Sequence, residues 1–315
     1  MRLEDIGFYT LSDDRAANAS DTSPMWRCEM ILTDQCNFNC PYCRRSGSEM
    51  DVEVARHTIS LWLKDGLKNI RFSGGEPTMY PYLNELVRMC SGIDNIAIST
   101  NGSQEWSVYE ELISDGVTDF SVSLDACCAD GGDKMAGAKG HWDTVTSNIR
   151  KMAAKVYVTV GVVITDENAS DVGDIVEFAS SLGVADIRII SAAQHNRIVE
   201  GVADIGTAIL DRHPILKYRV NHFLSGRSVR GIKEADCRKC HLVKDDSIVS
   251  GDCHYPCVIY MREGGSPIGK VGPGMRSERL EWASRHVPAN DPICSVNCLD
   301  VCVDYNNQAM LSKGE

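Results

Sequence analysis

The chain has 315 residues, enough for one large domain with an appendage or for two ordinary domains. Its 43% hydrophobic and 24% charged residues are a globular composition, and no apolar run approaches the roughly 20 residues that span a bilayer, which argues against a membrane protein. A net charge of -12, from 32 basic and 44 acidic residues, repels nucleic acid and favours cationic partners; residues 1–24 lack the basic start and apolar core of a secretory signal, so a cytoplasmic location is expected.

In chain order, short β-branched runs alternate with amphipathic stretches between Glu29 and Ser191. Strands are expected over Met30 to Thr33, Asn69 to Ser73, Asn95 to Thr100, Asp119 to Leu124, Val156 to Ile164 and Asp186 to Ser191. Between them, Val52, Ala55, Ile59, Trp62 and Leu63 recur at helical spacing, as do Trp142, Val145, Ile149 and Met152, and Val172, Ile175, Val176 and Ala179. Such stripes are core faces. Gly66 and Gly183 stand where helix C-caps are expected. The fold class is therefore α/β, and six βα units fall short of a closed eight-fold barrel, so a partial (β/α)6 barrel is expected. After Pro214 the pattern changes to short segments rich in Gly, Pro and Cys. The expected domains are a short extension (1–24), the barrel (25–214) and a small cysteine-rich module (215–315) whose scarcity of apolar residues points to stabilisation by bound metal.

Fourteen cysteines, clustered in a chain expected to be cytoplasmic, point to metal rather than disulfides. Cys36, Cys40 and Cys43 form a C-x3-C-x2-C loop directly after the first strand, at the barrel end where active sites of such folds lie. Three thiolates hold three corners of a 4Fe-4S cluster and leave the fourth iron open. A zinc knuckle would need a fourth ligand nearby, and Asn37, Asn39 and Arg44 are not usual ones. The later cysteines Cys237, Cys240, Cys253, Cys257, Cys294, Cys298 and Cys302 form a second group, whereas Cys28, Cys90, Cys127 and Cys128 show no partner spacing and read as packing residues. Cys237 and Cys240 lead into an expected hairpin ending Tyr255-Pro256-Cys257, and the spacing of Cys294, Cys298 and Cys302 predicts three thiols along one helical face.

The loop Cys36-Asn37-Phe38-Asn39-Cys40-Pro41-Tyr42-Cys43, with Tyr42 before its last cysteine, resembles the signature of the radical SAM superfamily, and Gly74-Gly75-Glu76-Pro77 after the second strand resembles that family's motif for the amino group of S-adenosylmethionine (SAM). The glycines permit close backbone approach, and Glu76 offers a carboxylate for an ammonium. The same resemblance implies that Thr100 and Asn101 after strand three, and Ser123 and Asp125 at strand four, face SAM or the substrate, and that Lys139 meets the SAM carboxylate. Here the chain departs from many relatives, which carry an arginine where Ala136 stands. The C-terminal module resembles the SPASM or shorter twitch extension, which houses auxiliary 4Fe-4S clusters. The full SPASM spacing is missing, so one auxiliary cluster is expected, held by Cys237, Cys240, Cys257 and one of Cys294, Cys298 and Cys302.

The resemblance implies reductive cleavage of SAM to a 5'-deoxyadenosyl radical that abstracts hydrogen from a substrate, with an electron donor such as flavodoxin or ferredoxin. Cys253, where related hairpins usually carry no cysteine, is either a hydrogen-atom donor to a substrate radical or a ligand. With a donor thiol and an acidic surplus, the expected substrate is a cationic small molecule, and the enzyme an epimerase of the aminoglycoside kind found in antibiotic biosynthesis. The alternatives are maturation of a ribosomally made peptide and, from another class, a non-catalytic metal-binding module.

Overall fold

The computed structural model describes residues 1–44, 49–193, 200–233, 236 and 239–314. The chain opens with α1 (Asp13–Asn18), then β1 (Arg27–Thr33), α2 (Val52–Asp65), β2 (Asn69–Gly74), α3 (Leu83–Met89) and β3 (Asn95–Thr100). There follow α4 (Trp106–Ser114), β4 (Asp119–Ser123), α5 (Ala129–Ala136), α6 (Trp142–Ala153), β5 (Tyr157–Ile164), α7 (Val172–Ser181) and β6 (Asp186–Ser191). The remainder is α8 (Thr207–Leu210), α9 (Pro214–Leu224), β7 (Asp246–Ser250), β8 (Cys253–Tyr255), α10 (Val258–Arg262), β9 (Gly269–Lys270), α11 (Met275–Arg285), α12 (Cys294–Asn297) and α13 (Asp300–Lys313).

Strands β1 to β6 lie side by side in sequence order, all parallel, with helices between them. The helices form for the reasons their patterns suggest. In α2 the Asp51 carboxylate accepts from the amides of Glu53 (2.8 Å) and Val54 (3.3 Å), and Ala55, Thr58, Ile59 and Trp62 are buried on one face. In α7 the buried face is Val172, Ile175, Val176 and Ala179, and in α6 Trp142 stacks on Phe178 of α7 at 5.2 Å. These faces and the outer side of the sheet make one continuous core. Inside the barrel, alternate residues such as Glu29, Arg71, Ser99, Ser121, Thr159 and Arg188 point inward and line a cavity. The interior enclosed by the parallel strands is thus polar.

The C-terminal region is not a separate core. Strand β7 pairs in parallel with β1, and the antiparallel β8 and β9 continue the same nine-stranded sheet. Its apolar content also exceeds the expectation from sequence, because α13 packs Val301, Tyr305 and Ala309 against Leu3, Ile6 and Ala16 of the N-terminal extension. Asp245 fastens this junction, buried and bound by Arg15 and by the Tyr305 hydroxyl (2.5 Å).

The cysteines Cys294, Cys298 and Cys302 do not share one helix. Helix α12 stops at Asn297, Cys298 is extended (φ -57°, ψ 134°), and α13 begins at Asp300. The cause is pairing with residues 229–231: Gly231 N–H donates to Cys298 O (2.9 Å), Asp300 N–H to Val229 O (2.9 Å), and Arg230 bridges Leu299. Cys237 lies outside the described residues.

Candidate active site and cluster-binding loops

A cavity of about 520 Å³ opens at the C-terminal ends of the parallel strands, within the ~300–1,000 Å³ range of small-molecule sites. Cys36, Cys40 and Cys43 all stand on its wall. The loop that carries them is clamped from four sides. Gly75 N–H donates to Thr33 O (2.6 Å) and Glu76 N–H to Gln35 O (2.8 Å) at its stem; Asn39 N–H donates to Ala136 O (2.8 Å); Asn101 Nδ2 donates to Asn37 Oδ1 (2.8 Å); and the Tyr42 hydroxyl donates to Asp125. Phe38 also packs on His141, with ring centres 5.1 Å apart.

Two glycines make these clamps sterically possible. A Cβ at Gly75 would sit 2.3 Å from Gln35 O, and one at Gly137 would sit 2.3 Å from Asn39 O, in both cases backbone atoms of the cysteine loop or its stem. The glycine turn thus serves approach to the cysteine loop, and Gly74 and Gly75 reach the cavity as well.

Glu76 carries its carboxylate fully buried, behind the residues that line the cavity. It accepts from Asn101 N–H (2.7 Å), Thr100 Oγ1 (2.8 Å), Thr78 Oγ1 (2.6 Å) and Thr78 N–H (3.1 Å). Burial pushes its pKa up and these hydrogen bonds pull it down. The side chain therefore ties the end of β2 to the end of β3. Pro77 and Lys139 also lie off the cavity wall, and Lys139 is exposed. Of the remaining expected contacts, Tyr42, Gly74, Gly75, Thr100, Asn101, Ser123 and Asp125 all line the cavity. Asp125 accepts from Val163 N–H (2.6 Å) as well as from Tyr42, and burial pushes it up to about 6.

The donor set fits iron-sulfur clusters. Three thiols on one rigid loop, open to a cavity, match a cluster with one free corner. Burial, then the Asp125 carboxylate, push Cys40 up to about 12, so it ligates when a metal displaces its proton. Deeper in the C-terminal region, Cys240, Cys257, Cys294, Cys298 and Cys302 are close enough to perturb one another. Burial is the largest cause in each case; the Cys257 and Cys240 thiols then raise Cys294 and Cys302, and all four others raise Cys298. Five described thiols are one more than a four-ligand cluster needs. Cys302 also stands on the cavity wall, so this group adjoins the site.

Cys253 does not join either set. It sits on β8 at the outer hairpin, off the cavity wall, paired with Ser250 and Lys270 and donating to Asp252 Oδ1 (3.2 Å). A two-residue turn, Gly251-Asp252, thus places Cys253 off the wall of the cavity proposed for the substrate. Sequence reasoning missed His286, whose Nε2 lies 3.4 Å from Cys294 Sγ, and the arginines inside the barrel. Only the alternation along β6 could have flagged Arg188 as inward-facing.

Most of the partial parallel barrel, with the three loop-borne thiols at its open end, falls within residues 30–179, which match the Radical SAM superfamily. That stretch is a radical SAM domain. Among curated relatives, the probable GTP 3',8-cyclase of Metallosphaera sedula is 26% identical over 177 residues, 53% of this chain and 56% of the relative. The GTP 3',8-cyclase of Chlorobaculum tepidum is 34% identical over 104 residues, 30% of this chain and 32% of the relative. The chain spans at most about half the length of these relatives. Among solved structures, anSMEcpe with bound AdoMet superposes with a TM-score of 0.62 at 14% identity, covering 92% of this chain and 96% of that one. Streptococcus suis SuiB gives 0.58 at 15%, covering 86% and 67%. At such identities the likeness is one of fold. No helix among the described residues is long and apolar enough to cross a membrane.

Proposed function

We propose that this chain is a radical SAM enzyme that cleaves SAM reductively and abstracts a hydrogen atom from a substrate held in the barrel. The observation that carries this is the placement of Cys36, Cys40 and Cys43 on the wall of the same cavity as Gly74, Thr100, Asn101, Ser123 and Asp125. When bound, the cluster supplies the electron that splits SAM into methionine and a 5'-deoxyadenosyl radical. The chain's own residues orient the reactants: the clamped cysteine loop fixes the cofactor end, and the polar strand ends offer hydroxyls and a carboxylate to the nucleoside and substrate. The barrel and the C-terminal hairpin shield the radical from solvent. An electron donor such as flavodoxin or ferredoxin supplies the reducing equivalent.

Radical epimerisation with a thiol donor remains the finer reading of the reaction, but Cys302 is the late thiol that stands on the cavity wall. Peptide maturation is the second reading, favoured by the fold shared with Streptococcus suis SuiB, whose crystal structure bound to precursor peptide SuiA is among the structures this chain resembles.

The test is anaerobic reconstitution followed by reduction with SAM. About eight irons per chain and formation of 5'-deoxyadenosine are expected, the product being lost in Cys40→Ala. Cys253→Ala is expected to keep both iron and product. Stoichiometric zinc without iron would leave only a metal-binding module, and iron loss in Cys253→Ala would return that thiol to the ligands.

A further inference from the structure

The cavity wall carries a charge opposite to that of the whole molecule. Five of its arginines are ion-paired: Arg15 with Asp245, Arg27 with Asp246 and Glu29, Arg44 with Glu263, Arg71 with Asp119, and Arg219 with Asp300. The Arg219 Nη1 is 2.7 Å from Asp300 but lacks the angle of a hydrogen bond. Arg188 and Arg230, also on the wall, have no carboxylate partner among the described residues. Arg230 is 9% exposed; its Nε donates to Ser191 O (3.2 Å), while its Nη1 is buried with no hydrogen-bond partner among the described residues. The Nε of Arg188 is likewise buried and unpartnered, and its Nη2 reaches only Ser121 Oγ at 3.5 Å.

These guanidiniums stand among cations. Burial, then Arg71 and Arg219, lower Arg188 to about 10; burial, then Arg44, lower Arg230 to about 10. Both remain protonated near neutral pH, and an uncompensated buried cation is costly unless something negative meets it. The carboxylates that act on them, Glu29 and Asp119 at Arg188 and Glu263 at Arg230, are already ion-paired with Arg27, Arg71 and Arg44.

We infer that Arg188 and Arg230 form an oxyanion subsite on the β6 side of the cavity, built to hold a phosphoryl group of the substrate. Two guanidiniums on one cavity wall, Arg188 on β6 and Arg230 held at the end of β6 through Ser191 O, each with neighbouring arginines, match a dianion better than the single charge of a carboxylate. The cationic substrate expected from net charge gives way to an anionic one, because the field inside a cleft follows its own wall. This deepens the radical SAM reading and rests on it.

The experiment titrates inorganic phosphate, malonate and spermidine separately into the reconstituted enzyme with SAM saturating, by calorimetry. Phosphate binding is expected, weakened at least tenfold by Arg188→Gln or Arg230→Gln and by 0.5 M salt, but only a few-fold by the lysine substitutions, which keep the charge. SAM binding, measured by the change in the cluster's electron paramagnetic resonance, stays within twofold in every variant. Malonate binding tighter than phosphate would reassign the subsite to carboxylates. Spermidine binding in place of phosphate, or loss of SAM affinity with phosphate unaffected, would overturn it. Phosphate binding without 5'-deoxyadenosine formation would instead sink the catalytic reading and leave the subsite standing.

Discussion

Replacing Glu76 by glutamine separates a buried tie from a ligand contact. Oε1 accepts from Thr78 N–H, Thr78 Oγ1 and Thr100 Oγ1, and Oε2 from Asn101 N–H. A glutamine that keeps its oxygen toward the threonines turns its amide N–H2 onto the Asn101 N–H, leaving that buried donor and its own without acceptors. Each such group costs about 1–3 kcal/mol, and the lost bond was to a charged acceptor, so about 3 kcal/mol is expected for the pair. In a chain of this size that lowers the thermal midpoint by roughly 5 °C. Because Asn101 also holds Asn37 in the cysteine loop, iron retention and SAM affinity should fall together with stability. The assays are the melting midpoint, iron per chain and the cluster's paramagnetic response to SAM, all on anaerobically reconstituted protein. A Glu76→Gln variant with unchanged midpoint and iron but tenfold weaker SAM binding would refute the reasoning, since only direct contact would produce that pattern.

Two further outcomes follow from geometry and burial. Gly75→Ala places a methyl group 2.3 Å from Gln35 O and should strip iron from the early loop, whereas Gly206→Ala, where a Cβ meets nothing within 4 Å, should keep it; equal iron content in both would undo the clamp. Asp186, buried at the start of β6 and accepting from the Ile187 amide (2.8 Å) and from the Ile215 amide in the first turn of α9 (3.0 Å), is pushed up to about 6 by burial. The folded state therefore keeps a proton that the unfolded chain loses above about 4, and stability should fall by up to about 3 kcal/mol as pH rises from 4 to 6, then level off. Urea midpoints across that range check it, with Asp186→Asn expected to lose this share of the slope while the share from Asp125, also pushed up to about 6, remains.

The six strands were legible because each is a β-branched run bounded by turn residues, and the three helix stripes because burial on one face imposes the 3.6-residue period. That Cys36, Cys40 and Cys43 share one loop was legible as well, since they lie within eight residues, and the structure sets all three on one cavity wall. What spacing could not show is direction. Glu76 has the charge to meet an ammonium, but the backbone at the end of β3 presents it with Asn101 N–H and two threonine hydroxyls, and a carboxylate satisfied by four donors has no reason to face solvent. Cys253 lies four residues before Cys257, yet the hairpin sends the two thiols to different neighbourhoods.

The same limit explains the charge of the site. Net charge is a sum over the surface, whereas a cavity is set by which alternate residues of seven parallel strands happen to face inward. Arg71 and Arg188 sit on β2 and β6, more than a hundred residues apart, and neither segment looks basic in isolation. They meet only because parallel pairing in a fixed register, Arg71 beside Glu29 and Arg188 beside Gly161, brings their side chains to one interior. Gly161 matters here for what it lacks: with no side chain at that point of β5, the Arg188 guanidinium lies 3.5 Å from where a Cβ would stand. A larger residue there would press on Arg188 and close the interior of the barrel at the place where the substrate's charge is to be met.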